Sequence, residues 1–208
     1  MITRDANLDN IFNIALDEAS KDQREIHAVE ILRNYLLHRP DHGRAWFCYG
    51  ESLCSVERYE EAMNAFFRCL ELTPEEKVPI VYGRIGFLCS LSRSILEAES
   101  WYRLGTSHKS CSDGWIWLFR GVNLRKLGRY EEALFCIRTS KNFCDVDDSE
   151  VALNIGLILR AMGKYEEAKI AFQDALSKDN NYQEAIKCLK GLEGLPKTME
   201  ISDELDTA

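Results

Sequence analysis

Apolar residues in this chain recur at intervals of three and four, as in Trp46, Tyr49 and Leu53 and again in Ala62, Phe66 and Leu70. At about 3.6 residues per turn, such spacing gathers them on one face of an α-helix. Ten segments carry the pattern, and a further one over residues 182–192 places Ala185, Ile186, Leu189 and Leu192 on one side. The breaks fall at residues that end helices. Gly128 and Gly163 separate the two segments of a pair, Pro40 and Pro74 separate one pair from the next, and Pro79 stands at the start of a segment. A first-turn proline needs no amide donor, whereas glycine tolerates the left-handed backbone of a helix exit. The pattern predicts eleven main helices and no sheet.

The pairs are copies of one unit. Tyr-Glu-Glu-Ala occurs at residues 59–62, 130–133 and 165–168, each time after a basic residue (Arg58, Arg129 or Lys164). Gly50, Gly121 and Gly156 each precede the alanine of that motif by twelve residues, and Gly86 keeps the same interval to Ala98 in a copy without the tyrosine and glutamates. Ala28, Leu32, Tyr35 and Pro40 match the second half of a degenerate first copy. A period near 35 residues is the mark of a helix–turn–helix array in which each unit buries its apolar face on its neighbours. The paired glutamates fall in the first turn of each second helix, where the positive end of the helix dipole favours carboxylates. Their recurrence at one structural place argues against an acid–base pair.

The second unit, with Trp46, Tyr49, Gly50, Leu53, Tyr59, Ala62, Phe66, Cys69 and Pro74, resembles the tetratricopeptide repeat family. So do the fourth (Trp117, Gly121, Leu124, Gly128, Tyr130, Ala133, Ile137) and the fifth (Ile155, Gly156, Leu159, Gly163, Tyr165, Ala168, Phe172, Ala175), with the first and third more loosely alike. The resemblance implies an all-α, right-handed superhelix of five stacked repeats. Its expected parts are an extension over 1–8, an array over 9–193, and a flexible acidic tail over 194–208. The repeats fall near 9–42, 43–76, 79–112, 114–147 and 149–182, with a capping helix over 182–192.

Composition narrows the function. A net charge of −8 and a pI near 5.1 argue against a nucleic-acid surface, which needs clustered Lys and Arg. No stretch approaches the roughly 18 apolar residues that span a bilayer, and the first ten residues are too polar for a secretory signal, so a cytoplasmic location without membrane insertion is expected. The eight cysteines include no C-x-x-C pair, and the four histidines lie at no ligand spacing, so no metal or cofactor is expected and the cysteines read as reduced core residues. The sequence has no phosphate loop and no nucleophile–base spacing, which leaves no catalytic residue to name.

The resemblance further implies that the first helix of each repeat faces a concave groove. At the corresponding positions the third to fifth repeats present Arg84, Phe87, Trp115, Leu118, Phe119, Val122, Arg125, Asn154, Leu157 and Arg160 as ligand-groove candidates. Aromatics beside arginines are the side chains that anchor interfaces. Such a groove would take a protein partner, as a peptide or amphipathic helix with apolar and acidic residues. The earlier repeats present Arg44, Phe47, Cys48 and Glu51 there, and Ile80 opens the third. The clamp by which some relatives grip chaperone tails would fall on Asn13, Asp17, Cys48, Ile80 and Arg84, of which only Arg84 fits. Three readings stay open: an interaction scaffold, a secretion-type cytosolic chaperone holding an apolar segment, and a homo-oligomeric, self-assembling array.

Overall fold

A computed structural model describes residues 4–19, 25–143 and 145–193, and the expected tail over 194–208 and Cys144 lie outside these. The described residues form eleven α-helices and no strand. They are α1 (Arg4–Ala19), α2 (Glu25–His38), α3 (Gly43–Ser55), α4 (Tyr59–Leu72), α5 (Val78–Leu91) and α6 (Ile95–Ser107). The chain continues through α7 (Gly114–Lys126), α8 (Tyr130–Ser140), α9 (Asp148–Ala161), α10 (Tyr165–Lys178) and α11 (Gln183–Lys190). A single 3-10 turn, Glu75–Lys77, links α4 to α5. Helix α1 begins at Arg4, ahead of the expected start near Asp9, because nothing between Arg4 and Ala19 is a glycine or proline to stop it.

Contacts divide the chain into two compact bodies, Met1–Cys111 and Ser112–Ala208. In the N-terminal body α1 packs on α2, α3 on α4 and α5 on α6, while α2 and α4 each pack on the next first helix. In the C-terminal body α7 packs on α8 and α9 on α10, α8 joins α9, and α11 covers α10.

One contact recurs in every full repeat. A Cβ added to Gly50 would lie 2.7 Å from the Phe66 ring, and one added to Gly156 would lie 2.4 Å from the Phe172 ring. Gly86 and Gly121 face Tyr102 and Ile137 in the same way. The missing side chain lets a first helix seat a large side chain of its second helix. Phe66, Tyr102, Ile137 and Phe172 are all fully buried as a result, and burying a side chain of that size contributes roughly 1.5–3 kcal/mol. Ala62, Ala98, Ala133 and Ala168 are fully buried beside them.

The basic residue before each Tyr-Glu-Glu-Ala has a purpose that its sequence alone did not show. It stands immediately before the second helix and pairs with the second glutamate. Arg58 forks onto Glu61 through Nε and a terminal nitrogen, both at 2.7 Å, and Arg129 onto Glu132 at 2.7 and 2.6 Å. Lys164 reaches Glu167 at 3.8 Å. Each motif is therefore an ion-paired helix start. These pairs are exposed, so their value to stability is small.

Of the seven described cysteines, Cys69, Cys89, Cys136 and Cys188 are buried and Cys48, Cys54 and Cys111 are half-buried. Burial raises the pKa of Cys54 and of Cys89 to about 11, so both are protonated at neutral pH.

Candidate functional site

In the N-terminal body one arginine of the first-helix face is paired with a carboxylate. Arg84 on α5 reaches Glu51 on α3 at 2.9 Å. Burial lifts the Glu51 pKa and the guanidinium opposes that lift. Phe87, one turn beyond Arg84, is half-buried.

The corresponding face of the C-terminal body is built differently. Helix α7 starts at Asp113, whose carboxylate accepts from the amides of Trp115 (2.8 Å) and Ile116 (3.4 Å), while Asp145 accepts from the Gly114 amide at 3.1 Å. Two carboxylates on orphan amides fix where the helix begins. From that start Trp115 is 36% exposed and its ring lies 5.7 Å from that of Phe119, tilted by 32°. Val122 and Leu157 are half-buried, their apolar surface shared between the core and the open face.

Arg125 lies in the last turn of α7 and Arg160 in the last turn of α9, one repeat apart, so stacking the repeats sets like charge beside like charge. Burial and then the neighbouring Arg160 guanidinium push the Arg125 pKa below its ordinary value. The Arg125 Nε is buried with no hydrogen-bond partner. Burial raises the pKa of the Cys188 thiol of α11, and the Arg160 guanidinium beside it opposes that rise. Among the described residues neither guanidinium has a carboxylate partner. Buried cationic groups ordinarily have one.

Two of the groove candidates move to the interior. Leu118 is 1% exposed and packs among Ala133, Ile137 and Ile158. It follows the apolar stripe of α7 into the repeat core, so it offers no contact surface. Asn154 is 4% exposed, and its amide donates to the Glu150 carbonyl (2.9 Å) and carboxylate (2.8 Å). The same carboxylate accepts from the Tyr182 hydroxyl at the start of α11. Asn154 thus orients a latch between α9 and the terminal helix. The structure brings together Trp115 with Phe119 and Arg125 with Arg160. Missing from the sequence reading were Glu51 as the neutraliser of Arg84 and Cys188 as the contact of Arg160, since neither spacing nor residue type marks them.

The second helices carry large exposed apolar side chains, with Phe135 64% and Ile170 66% exposed at equivalent positions of α8 and α10. No group of three or more His, Cys, Asp or Glu that could hold a metal ion occurs among the described residues. No helix among them is long and apolar enough to cross a membrane.

The tetratricopeptide repeat family model matches residues 149–180, which is the fifth repeat. No curated protein matches the sequence. Several solved structures share the fold. YrrB, a tetratricopeptide protein with an unusual peptide-binding site, is 17% identical over 86% of this chain and 90% of its own, with a TM-score of 0.66. MamA from Desulfovibrio magneticus RS-1 is 13% identical over 88% and 99%, at 0.71. PilW, a type IV pilus biogenesis factor, is 16% identical over 89% and 92%, also at 0.71. The glycine-to-large-residue contact in four successive repeats, the matched fifth repeat and the shared fold together make this chain similar to the tetratricopeptide repeat proteins.

Proposed function

We propose that this chain is a non-catalytic interaction module, working in the cytoplasm, whose first-helix face in the C-terminal body binds a partner protein segment. The segment is a peptide or amphipathic helix in which Leu, Ile or Phe stands beside Asp or Glu. The observation that carries this reading is the Arg125–Arg160 pair, two half-buried guanidiniums with no carboxylate partner among the described residues, in a chain of net charge −8. An incoming carboxylate would supply the missing partner, and charge-assisted hydrogen bonds to guanidinium are among the stronger polar contacts. Trp115 and Phe119 on the same helix supply apolar anchor area. YrrB, which shares the fold, has a peptide-binding site.

A random-sequence peptide library displayed against the purified chain tests this. Selected sequences should be rich in Asp and Glu next to a bulky apolar residue. Their binding should fall by about tenfold or more when Arg125 and Arg160 are both changed to Glu, with the helical dichroism unchanged. Changing Phe135 to Asp on the second-helix face should leave binding as it was. Selection of basic sequences, or loss of binding with F135D alone, would overturn the assignment.

A further inference from the structure

The N-terminal body contains a cavity of about 420 Å³ between the start of α3, the end of α4 and the start of α5. Phe47, Leu72, Ile80 and Val81 give it apolar walls, and Arg44 and Lys77 stand at its rim. Both cations are exposed, and neither has a carboxylate partner among the described residues. The Arg44 guanidinium carbon lies 5.8 Å from the centre of the Phe12 ring, a cation–π contact that leaves its charge uncompensated. Among the described residues no aspartate or glutamate lines the cavity, although acidic residues outnumber basic ones by 34 to 26 in the chain. Ile80 is 37% exposed at its mouth. Pockets of a few hundred cubic ångströms with apolar walls and a few placed polar groups are the usual form of a binding site.

We infer that this cavity is a socket for one bulky apolar side chain of a protein segment, flanked in that segment by Asp or Glu. Apolar walls favour an aromatic or branched aliphatic occupant, because a polar one would lose its hydration without a partner. The two rim cations select acidic flanks and repel basic ones. The socket rests on the reading that the chain binds protein segments, but it belongs to the other body. It also differs in kind from the Arg125–Arg160 face. There the charges are half-buried and the rings are open. Here the apolar surface is recessed and the charges stand in solvent.

Methyl resonances of the full chain, labelled at Ile and Val, read the socket directly. Titration with acetyl-Glu-Phe-Glu amide should shift the Ile80 and Val81 methyls. The basic counterpart acetyl-Lys-Phe-Lys amide should bind at least about tenfold more weakly. The R44E/K77E variant should lose the acidic peptide to the same degree, and I80W, which fills the cavity without changing charge, should lose it as well. The R125E/R160E variant should bind it like the unmodified chain. That arm separates the two proposals, because a failure of the C-terminal face leaves the Ile80 and Val81 shifts in place. Equal binding of the two peptides, unchanged binding by R44E/K77E, or shifts absent from Ile80 and Val81 would overturn the socket.

Discussion

The two bodies repeat one fold and finish it differently. In the N-terminal body one groove arginine, Arg84, is paired with Glu51 from the preceding repeat. In the C-terminal body Arg125 and Arg160 occupy equivalent positions of successive repeats and meet no carboxylate among the described residues. The same division runs through the local structure. Helices α7 and α9 begin at Asp113 and Asp147, whose side chains cap the first amides, whereas His42 and Lys77 provide no such cap for α3 and α5. The turns within the C-terminal repeats use Gly128 and Gly163 at φ of +74° and +79°. The N-terminal repeats hold Glu57 and Arg93 at 60° and 61°, in a region where an ordinary side chain costs about 1–2 kcal/mol. The lesson is one of division of labour. The body with the better local structure is also the one that holds two guanidiniums side by side.

The comparison breaks first at the terminal helix. Ala185, Cys188, Leu189 and Leu192 cover the surface of Phe172 and Ala175, so ending the chain before Tyr182 should cost on the order of 4 kcal/mol or more, or cause aggregation. Ending it at residue 196 keeps α11 and should leave the melting temperature nearly unchanged. Equal melting curves for the two truncations would remove the capping role of α11.

Next in size are the seat glycines. A Cβ at Gly156 would stand 2.4 Å from the Phe172 ring, and one at Gly86 would stand 3.0 Å from Tyr102. Overpacking of that severity costs about 1–3 kcal/mol, so Gly156→Ala should destabilise clearly in urea titrations. Gly86→Ala should come out near neutral, because alanine recovers roughly 0.5–1 kcal/mol of helix propensity. Equal losses at both positions would show that close approach is not what these glycines provide.

These contacts were written in the sequence more plainly than the site was. The glycine-to-alanine interval and the repeated Tyr-Glu-Glu-Ala fix the helix pairing, because both members of each contact recur at a constant offset. The site escaped in part because burial depends on how far each helix is rotated, and position in the repeat records only its register. Leu118 and Asn154 shared the groove register and turned inward, one to the core and one to the α11 latch. Charge compensation was equally hidden. Arg84 stands two residues before Gly86 and Arg125 four after Gly121, and neither position in the repeat reveals that Glu51 meets Arg84 across the repeat boundary.

Smaller effects sharpen the local contrast. Hydrogen bonds from the amide and hydroxyl of Ser149, both 2.7 Å long, hold the Asp147 pKa below its usual range. Asp147→Ala should cost about 1 kcal/mol at neutral pH, as helix caps do. A depressed carboxyl stabilises above its unfolded pKa, near 3.9, and loses that contribution as pH falls through the folded value. Thermal melts of the two proteins should therefore converge in acid, and a gap that persists there would assign the loss to something other than the ionised cap. Smallest of all, Glu57→Gly should stabilise by up to about 1 kcal/mol, while Gly163→Ala should destabilise by a similar amount. Opposite signs support the turn assignment, whereas a loss at both positions would show that Glu57 contributes through its side chain.

A charge-swap titration decides whether the arginine charge on the C-terminal first-helix face recognises an acidic, apolar segment. One acidic library-selected peptide and its Lys-for-Glu counterpart are measured by calorimetry against the unmodified chain and against R125E/R160E. The account predicts that the acidic peptide binds the unmodified chain, that the double variant loses it by about tenfold or more, and that the basic counterpart recovers binding on the double variant. Acidic-peptide affinity equal on both proteins, with no recovery by the basic counterpart, would contradict it.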